Sequence, residues 1–211
     1  MLPAVVGRAI DAAKPWVLLA GIVLVYVKAF EWFLLPRVKG LLGETLVNFL
    51  VKLLLNWKRY LLIRDVILPT PDGPAQIDHV IVSSCGVFVI ETQAYKGRIY
   101  GGEDDAEWTQ VGLRRKKRFR NPLRVSCNHA RILSQLTGIP ERYLKPVVVF
   151  VGNCTFRTPM PTNVVHTGAL VPYIKSHKVP IIKDRQVPEI VTAIEAWAAV
   201  TDQYERIREE R

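Results

Sequence analysis

Two acidic residues stand inside neighbouring apolar segments of the chain. Asp78 lies in the segment QIDHVIVS and Glu91 lies in VFVIETQ, and only three residues separate the two segments. The alternation of apolar and polar residues, with small residues between the segments, predicts two strands joined by a tight hairpin. If the turn consists of Ser84 and Cys85, the register places Asp78 opposite Glu91, with Cβ atoms about 5 Å apart.

Two carboxylates opposed in this way repel each other, and burial makes the repulsion more costly. A shared proton, a basic neighbour or a divalent cation would offset it. Oxygen ligands at this spacing suit Mg²⁺ or Mn²⁺, and such an ion can position a water molecule and stabilise charge on a phosphate. The alternative is that both acids lie on a solvent-exposed face, and a shift of one residue in register would separate them. The valines that share their face favour partial burial; these are Val80, Val82, Val87 and Val89.

The surrounding segments predict a mixed α/β domain. Asn121 and Pro122 are a typical helix start, as cap and first helical residue, and Gly138 closes that helix after Thr137. The connection from Tyr100 to about Arg120 is predicted as a loop. The order of helix, three strands, helix and strand predicts a mixed sheet with helices packed on it. We predict helices at 40–57, 121–137, 168–177 and 188–206, and strands at 61–68, 76–83, 87–93, 98–100, 146–151 and 163–166.

The stretch QIDHVIVSSCGVFVIETQAYKGRIYG, followed by Trp108 and by NPLRVSCNHARIL, resembles the nuclease-related domain (NERD) family, and Gly43-Glu44 matches that family's opening motif. The resemblance covers about residues 40–177. It implies the restriction-endonuclease-like PD-(D/E)XK fold, a mixed sheet with an αβββαβ core flanked by helices. It also implies Mg²⁺- or Mn²⁺-dependent hydrolysis of phosphodiesters in nucleic acid, with water as the nucleophile.

By this resemblance Asp78, Glu91 and Glu44 would bind the metal ion. Glu44 has a simpler interpretation as a favourable charge near a helix N-terminus. Gln93 stands where the family usually has a catalytic lysine, and it brings no charge to the transition state. Val125 stands where the family pattern has glutamine. The alternative function is therefore a catalytically weakened module that binds nucleic acid or a membrane surface.

His129 falls on the face of the predicted helix 121–137 that also carries Val125, Ile132 and Leu136. An inward histidine is more often a hydrogen-bonded core residue than a metal ligand. The family also tends to have histidine there, so the resemblance implies that His129 supports the metal site. His79 lies on the strand face opposite to Asp78, and we do not assign it to the metal.

The formal net charge of +10 and the pI of about 9.7 favour a polyanionic partner, either nucleic acid or an acidic membrane surface. The run LRRKKRFR could follow phosphates, with DNA favoured over RNA, and Phe119 could stack on a base. The same run could lie on anionic lipid or form a solvated loop. The candidate nucleic-acid-binding residues are Arg114, Arg115, Lys116, Lys117 and Arg118.

Residues 16–35 read WVLLAGIVLVYVKAFEWFLL, which is long enough to cross a bilayer as one helix. Basic residues are in excess after this segment, which predicts a single-pass protein whose soluble domain is cytoplasmic. The alternative is a buried or surface-lying helix. The predicted organisation is an N-terminal segment at 1–38, a nuclease-related domain at 40–180, and a C-terminal helix and tail at 181–211.

The chain has three cysteines, an odd number, and no C-x-x-C pair. This pattern disfavours a zinc knuckle and a disulfide framework, and it suits a reducing compartment. We predict that Cys85, Cys127 and Cys154 are small buried residues.

Overall fold

The computed structural model describes residue 47 and residues 54–56, 58–70, 73–113 and 115–209, all within the compact unit Gly43–Arg211. The predicted membrane span at 16–35 and Glu44 lie outside the described residues. Of the predicted helix at 40–57, Val47 and Leu54 are helical, whereas Leu55 and Asn56, which are also described, are not. Among the helices that are described, none is both long and apolar enough to cross a membrane.

The predicted mixed α/β class is confirmed, and most predicted elements agree with the structure to within a few residues. A short 3₁₀ helix at Glu141–Tyr143 precedes β7. The strands are β1 (Leu61–Leu68), β2 (Ala75–Ser83), β3 (Gly86–Ala94), β4 (Gly97–Tyr100), β5 (Glu107–Val111), β6 (Lys116–Arg120), β7 (Leu144–Val151), β8 (Cys154–Phe156) and β9 (Val164–His166). The helices are α1 (Pro122–Thr137), α2 (Thr167–Ser176) and α3 (Gln186–Glu209).

The first sheet has the strand order β1-β2-β3-β7-β9. Strands β1 and β3 both pair antiparallel with β2, while β7 pairs parallel with both β3 and β9. Residues 79–83 and 86–90 are buried, because helices cover both faces of the central hairpin. One face packs against α1 and α3, with Val80, Val89, Leu133 and Ile194 in a single cluster. The other face packs Ile81 and Phe88 against α2, and Val47 and Leu55 join that cluster.

A second sheet, with the order β6-β5-β4-β8, was not predicted. The prediction of a loop from Tyr100 to Arg120 is wrong, because β5 and β6 form an antiparallel pair there. Trp108 faces Phe119 in this pair and stacks on Phe150 of the first sheet, with ring centroids 6.1 Å apart. Strands β5 and β6 each contribute one large aromatic residue to the interior, and most of their other residues are polar or charged. For this reason the sequence shows no alternating strand pattern here.

The prediction that all three cysteines are buried is wrong for two of them. Cys154 is buried, Cys85 is half-buried, and Cys127 is exposed. Cys127 is exposed because the buried face of α1 is centred on Leu123, Ser126, Ala130 and Leu133.

Candidate active site

The β2–β3 hairpin has the predicted register. Ser83 pairs with Gly86 and Val82 pairs with Val87, so the turn is Ser84-Cys85. The paired positions end at His79 and Ile90. One step further along the same register, Asp78 lies across from Glu91, at the end of the hairpin that is away from the turn.

The carboxylate of Asp78 reaches across to the neighbouring strand. Its Oδ2 accepts a hydrogen bond of 2.6 Å from the backbone amide of Thr92. A hydrogen bond to a charged acceptor is stronger than a neutral one, so this contact holds Asp78 beside the residue that follows Glu91. Both acids are half-buried, and the four valines on their face are buried, in agreement with the expectation of partial burial.

The carboxylate of Glu91 lies between two side chains. Its Oε1 accepts a hydrogen bond of 3.3 Å from Nε2 of Gln93. Its Oε2 is 3.5 Å from Nδ1 of His129, and the two side chains are only 16% and 12% exposed. These two atoms are buried and form no hydrogen bond in the described structure, although they are within ion-pair distance. Buried polar atoms normally have partners. A proton on Nδ1 of His129 or a cation beside Oε2 of Glu91 would supply the missing partner.

The donor set suits a hard divalent cation. Two carboxylates are a common protein contribution to a Mg²⁺ or Mn²⁺ site, where water and substrate phosphate complete the coordination. The buried Oε2 of Glu91, which accepts no hydrogen bond from the described residues, also favours a cation at this position. Within the described residues, no three His, Cys, Asp or Glu side chains gather as a metal-binding group. Glu44, the third predicted acid, lies outside the described residues.

A third carboxylate interrupts the β1–β2 ladder beside Asp78. Arg64 pairs with His79 and Val66 pairs with Ile77, and the register of the ladder omits the position between them, where Asp65 lies across from Asp78. Asp65 has a φ of 51°, a left-handed conformation that is uncommon for a residue other than glycine. The strand pattern gave no signal of this irregularity, which breaks regular pairing between two like charges.

Helix α1 is fixed at both its start and its middle. Asn121 Oδ1 accepts hydrogen bonds from the amides of Leu123 and Arg124, so its predicted role as cap is confirmed. Ser126, which is fully buried, donates a hydrogen bond of 3.0 Å to the carbonyl of Val89, two residues before Glu91. His129 follows one helical turn later, so this anchor sets its distance from Glu91. The sequence prediction missed Ser126, and a small polar residue on a buried helix face was the available signal.

The amide of Asn121 has a second role that the sequence prediction also missed. Its Nδ2 donates to the carbonyls of Gly102, Glu103 and Asp105 at 3.2, 3.0 and 2.8 Å. The acidic connection between β4 and β5 is thereby tied to the start of α1. One buried side chain therefore orders both the helix and the loop that precedes β5.

Val125, which stands where the family pattern has glutamine, is half-buried in α1. His79 is buried on the opposite face of β2, and burial lowers its pKa to about 4 while Asp65 opposes that shift. His79 is therefore neutral at pH 7.

The predicted basic run forms an edge strand. Residues 115–118 are exposed, and Arg114 lies outside the described residues. Arg118 is 3.8 Å from Glu107, but both side chains are exposed, so this ion pair contributes little to stability. Phe119 is half-buried and stacks on Tyr95 with ring centroids 4.4 Å apart, so part of its ring is covered within the chain.

A model of the nuclease-related domain family matches residues 39–151, more than half of the chain. The chain belongs to the nuclease-related domain family. The matched region ends with β7 and contains Asp78, Glu91, Gln93 and His129. An uncharacterized protein of Bacillus anthracis is 39% identical over 102 residues, which are 48% of this chain and 48% of that protein. The chain thus spans about half the length of this relative, and no solved structure matches the chain.

Proposed function

We propose that this nuclease-related domain hydrolyses phosphodiester bonds in nucleic acid, with a divalent cation held by Asp78 and Glu91. The observation that carries the proposal is the hairpin register, which continues to Asp78 across from Glu91, together with the buried Oε2 of Glu91 that accepts no hydrogen bond from the described part of the chain. The proposal also assigns the domain to the restriction-endonuclease-like fold, since three strands, a helix and a strand follow one another around the pair, with β4–β6 inserted.

The residues of the chain have separate tasks in this proposal. Asp78 and Glu91 supply oxygen ligands to Mg²⁺ or Mn²⁺, and Glu44 is a further candidate ligand. When bound, such an ion lowers the pKa of water and stabilises charge on the phosphate. Gln93 orients Glu91 through its amide and can donate a hydrogen bond to water. His129, whose Nδ1 is 3.5 Å from Oε2 of Glu91, is placed to hold that carboxylate.

Cleavage of labelled DNA and RNA in the presence of Mg²⁺ or Mn²⁺ tests this proposal. Asp78→Asn and Glu91→Gln keep the shape of each side chain and remove the charge, so either should lower the rate by about a hundredfold or more. The matched control is Asp184→Asn, which removes an exposed carboxylate outside the site. Cleavage that persists in both site variants, or that falls equally in the control, contradicts the proposal.

A second function, binding of nucleic acid without efficient cleavage, is favoured by Gln93. The position lacks a positive charge, and its amide is already engaged with Glu91. In that case DNA binds in a salt-sensitive manner and is not cut. Gln93→Lys separates the two functions, because a gain in metal-dependent cleavage of about tenfold or more shows a weakened but complete site.

We also propose that residues 16–35 anchor the domain to a membrane, with the domain in the cytoplasm. The apolar segment and the basic residues after it support this arrangement. Cys127 is an exposed handle for a membrane-impermeant maleimide, and labelling needs mildly alkaline pH because desolvation and Glu103 raise the pKa of its thiol. A membrane-bound chain that is labelled only after permeabilisation supports the proposal, and labelling in intact cells contradicts the orientation.

A further inference from the structure

A pocket of about 450 Å³ lies at the turn end of the β2–β3 hairpin. Segments distant in sequence line it: Arg59 and Tyr60 before β1, Ser84 in the hairpin turn, and Lys175 and Lys178 around the end of α2. Glu91 follows Gly86 by five positions in β3, a distance of about 17 Å along the strand. The pocket is therefore separate from the carboxylate pair, and its role does not depend on the proposed nuclease function.

The pocket has an unbalanced positive charge. Arg59, Lys175 and Lys178 line it, and among the residues that the structure describes no aspartate or glutamate does. None of the three cations forms an ion pair with another residue of the described part of the chain. Like charges around a concave surface raise the local potential and attract anions.

A simpler explanation covers only part of this arrangement. Lys175 lies in the last turn of α2, where a cation interacts favourably with the free carbonyls of the helix end. Arg59 comes from a different segment, before β1, and is not part of that helix. The convergence of the two segments on one pocket therefore needs a separate reason.

The walls of the pocket are held in place by other contacts. The carbonyl of Ser84 accepts hydrogen bonds from the amides of Ile181 and Ile182, at 2.8 and 3.0 Å, which fixes the turn. His177 also lines the pocket; its Nδ1 is 3.0 Å from the carbonyl of Tyr173, and its ring meets the edge of Phe88. A site that is already ordered loses less entropy when it binds a ligand.

We propose that this pocket binds the phosphate group of a small phosphorylated molecule of about the size of a nucleoside monophosphate. Arginine and lysine are the usual protein partners of phosphate. The volume falls in the range of roughly 300–1,000 Å³ that is typical of small-molecule sites. The rings of Tyr60 and His177 offer a surface for an aromatic group attached to the phosphate.

Calorimetric titration of the full chain with AMP and with inorganic phosphate, at low salt, tests this inference. We expect one site per chain, with an affinity that falls as salt rises. In Lys175→Ala/Lys178→Ala the affinity should fall by about tenfold or more, because two charged partners of the phosphate are removed. The matched control is Lys183→Ala/Arg185→Ala, which removes two exposed cations that do not line the pocket and should bind as the unmodified chain does.

Tighter binding of AMP than of phosphate shows that the aromatic surface is used, and equal binding shows recognition of the phosphate alone; both support the inference. Vesicles that contain phosphatidic acid displace AMP only if a lipid headgroup enters the same pocket. The inference is overturned if neither AMP nor phosphate binds at millimolar concentration, or if the control variant weakens binding as much as the pocket variant does.

Discussion

Replacement of Asn121 by alanine should destabilise the domain more than replacement of any exposed side chain of α1 by alanine. Asn121 is 1% exposed, caps the helix through Oδ1 and donates through Nδ2 to three carbonyls. Loss of the cap costs about 1 kcal/mol. Each lost hydrogen bond costs about 0.5–1.5 kcal/mol. The lower end of this range applies here, because Glu103 and Asp105 are exposed and the carbonyl of Gly102 still accepts a hydrogen bond from Nε1 of Trp108. The total is about 2–3 kcal/mol.

Asn121→Asp separates the contribution of the helix cap from the contribution of the hydrogen bonds that Nδ2 donates. The carboxylate still accepts from the amides of Leu123 and Arg124, so the cap is kept. It cannot donate to the three carbonyls, and it repels them. We expect this variant to lose about 2 kcal/mol, although a negative charge at a helix N-terminus is otherwise favourable.

Urea denaturation followed by circular dichroism measures both losses. The control is Asn128→Ala on the exposed face of the same helix, for which we expect less than about 0.5 kcal/mol. A loss below about 1 kcal/mol in Asn121→Ala, or unchanged stability in Asn121→Asp, would refute the conclusion that Asn121 ties the 102–105 loop to the helix.

Two further outcomes follow from the described residues. His79 has a pKa of about 4 in the folded protein and 6.5 in the unfolded chain, so the unfolded chain binds more protons between these two pH values. The stability that depends on neutral His79 should be complete above about pH 6.5 and fall by roughly 3 kcal/mol as the pH drops to 4. His79→Gln cannot titrate, so its acid denaturation should lack this slope. Neutralising Arg115, Lys116, Lys117 and Arg118 together should weaken DNA binding, measured by fluorescence anisotropy. The slope of log affinity against log salt should become shallower by up to about 3.6. An unchanged slope would exclude these exposed side chains from the interface.

The hairpin and its register could be predicted from sequence because both signals are local. Alternating apolar residues define the two strands. A shift of one residue in the register would turn the valines outward, so only registers that keep the valines on the inner face are allowed. The cap of α1 could be predicted for the same reason, since Asn121-Pro122 is a local signal. These two features place Asp78, Glu91 and the helix that carries His129.

The second sheet and the contacts of the site depend on distant residues. Strands β5 and β6 form around Trp108 and Phe119, whose partners Phe150 and Tyr95 lie in or beside the first sheet. The helical pattern also placed His129 on the inward face, together with Val125, Ile132 and Leu136. In the structure the buried face is shifted by about one residue, to Ser126, Ala130 and Leu133. Only the packing of α1 on β3 sets the distance between His129 and Glu91.

Binding of Mn²⁺, measured by electron paramagnetic resonance, tests the central claim most directly, because it does not depend on cleavage. The account predicts one Mn²⁺ per chain, an affinity at least about tenfold weaker in Asp78→Asn and in Glu91→Gln, and unchanged affinity in Asp184→Asn. Absence of Mn²⁺ binding at millimolar concentration, or equal affinity in the unmodified chain and both site variants, would contradict it.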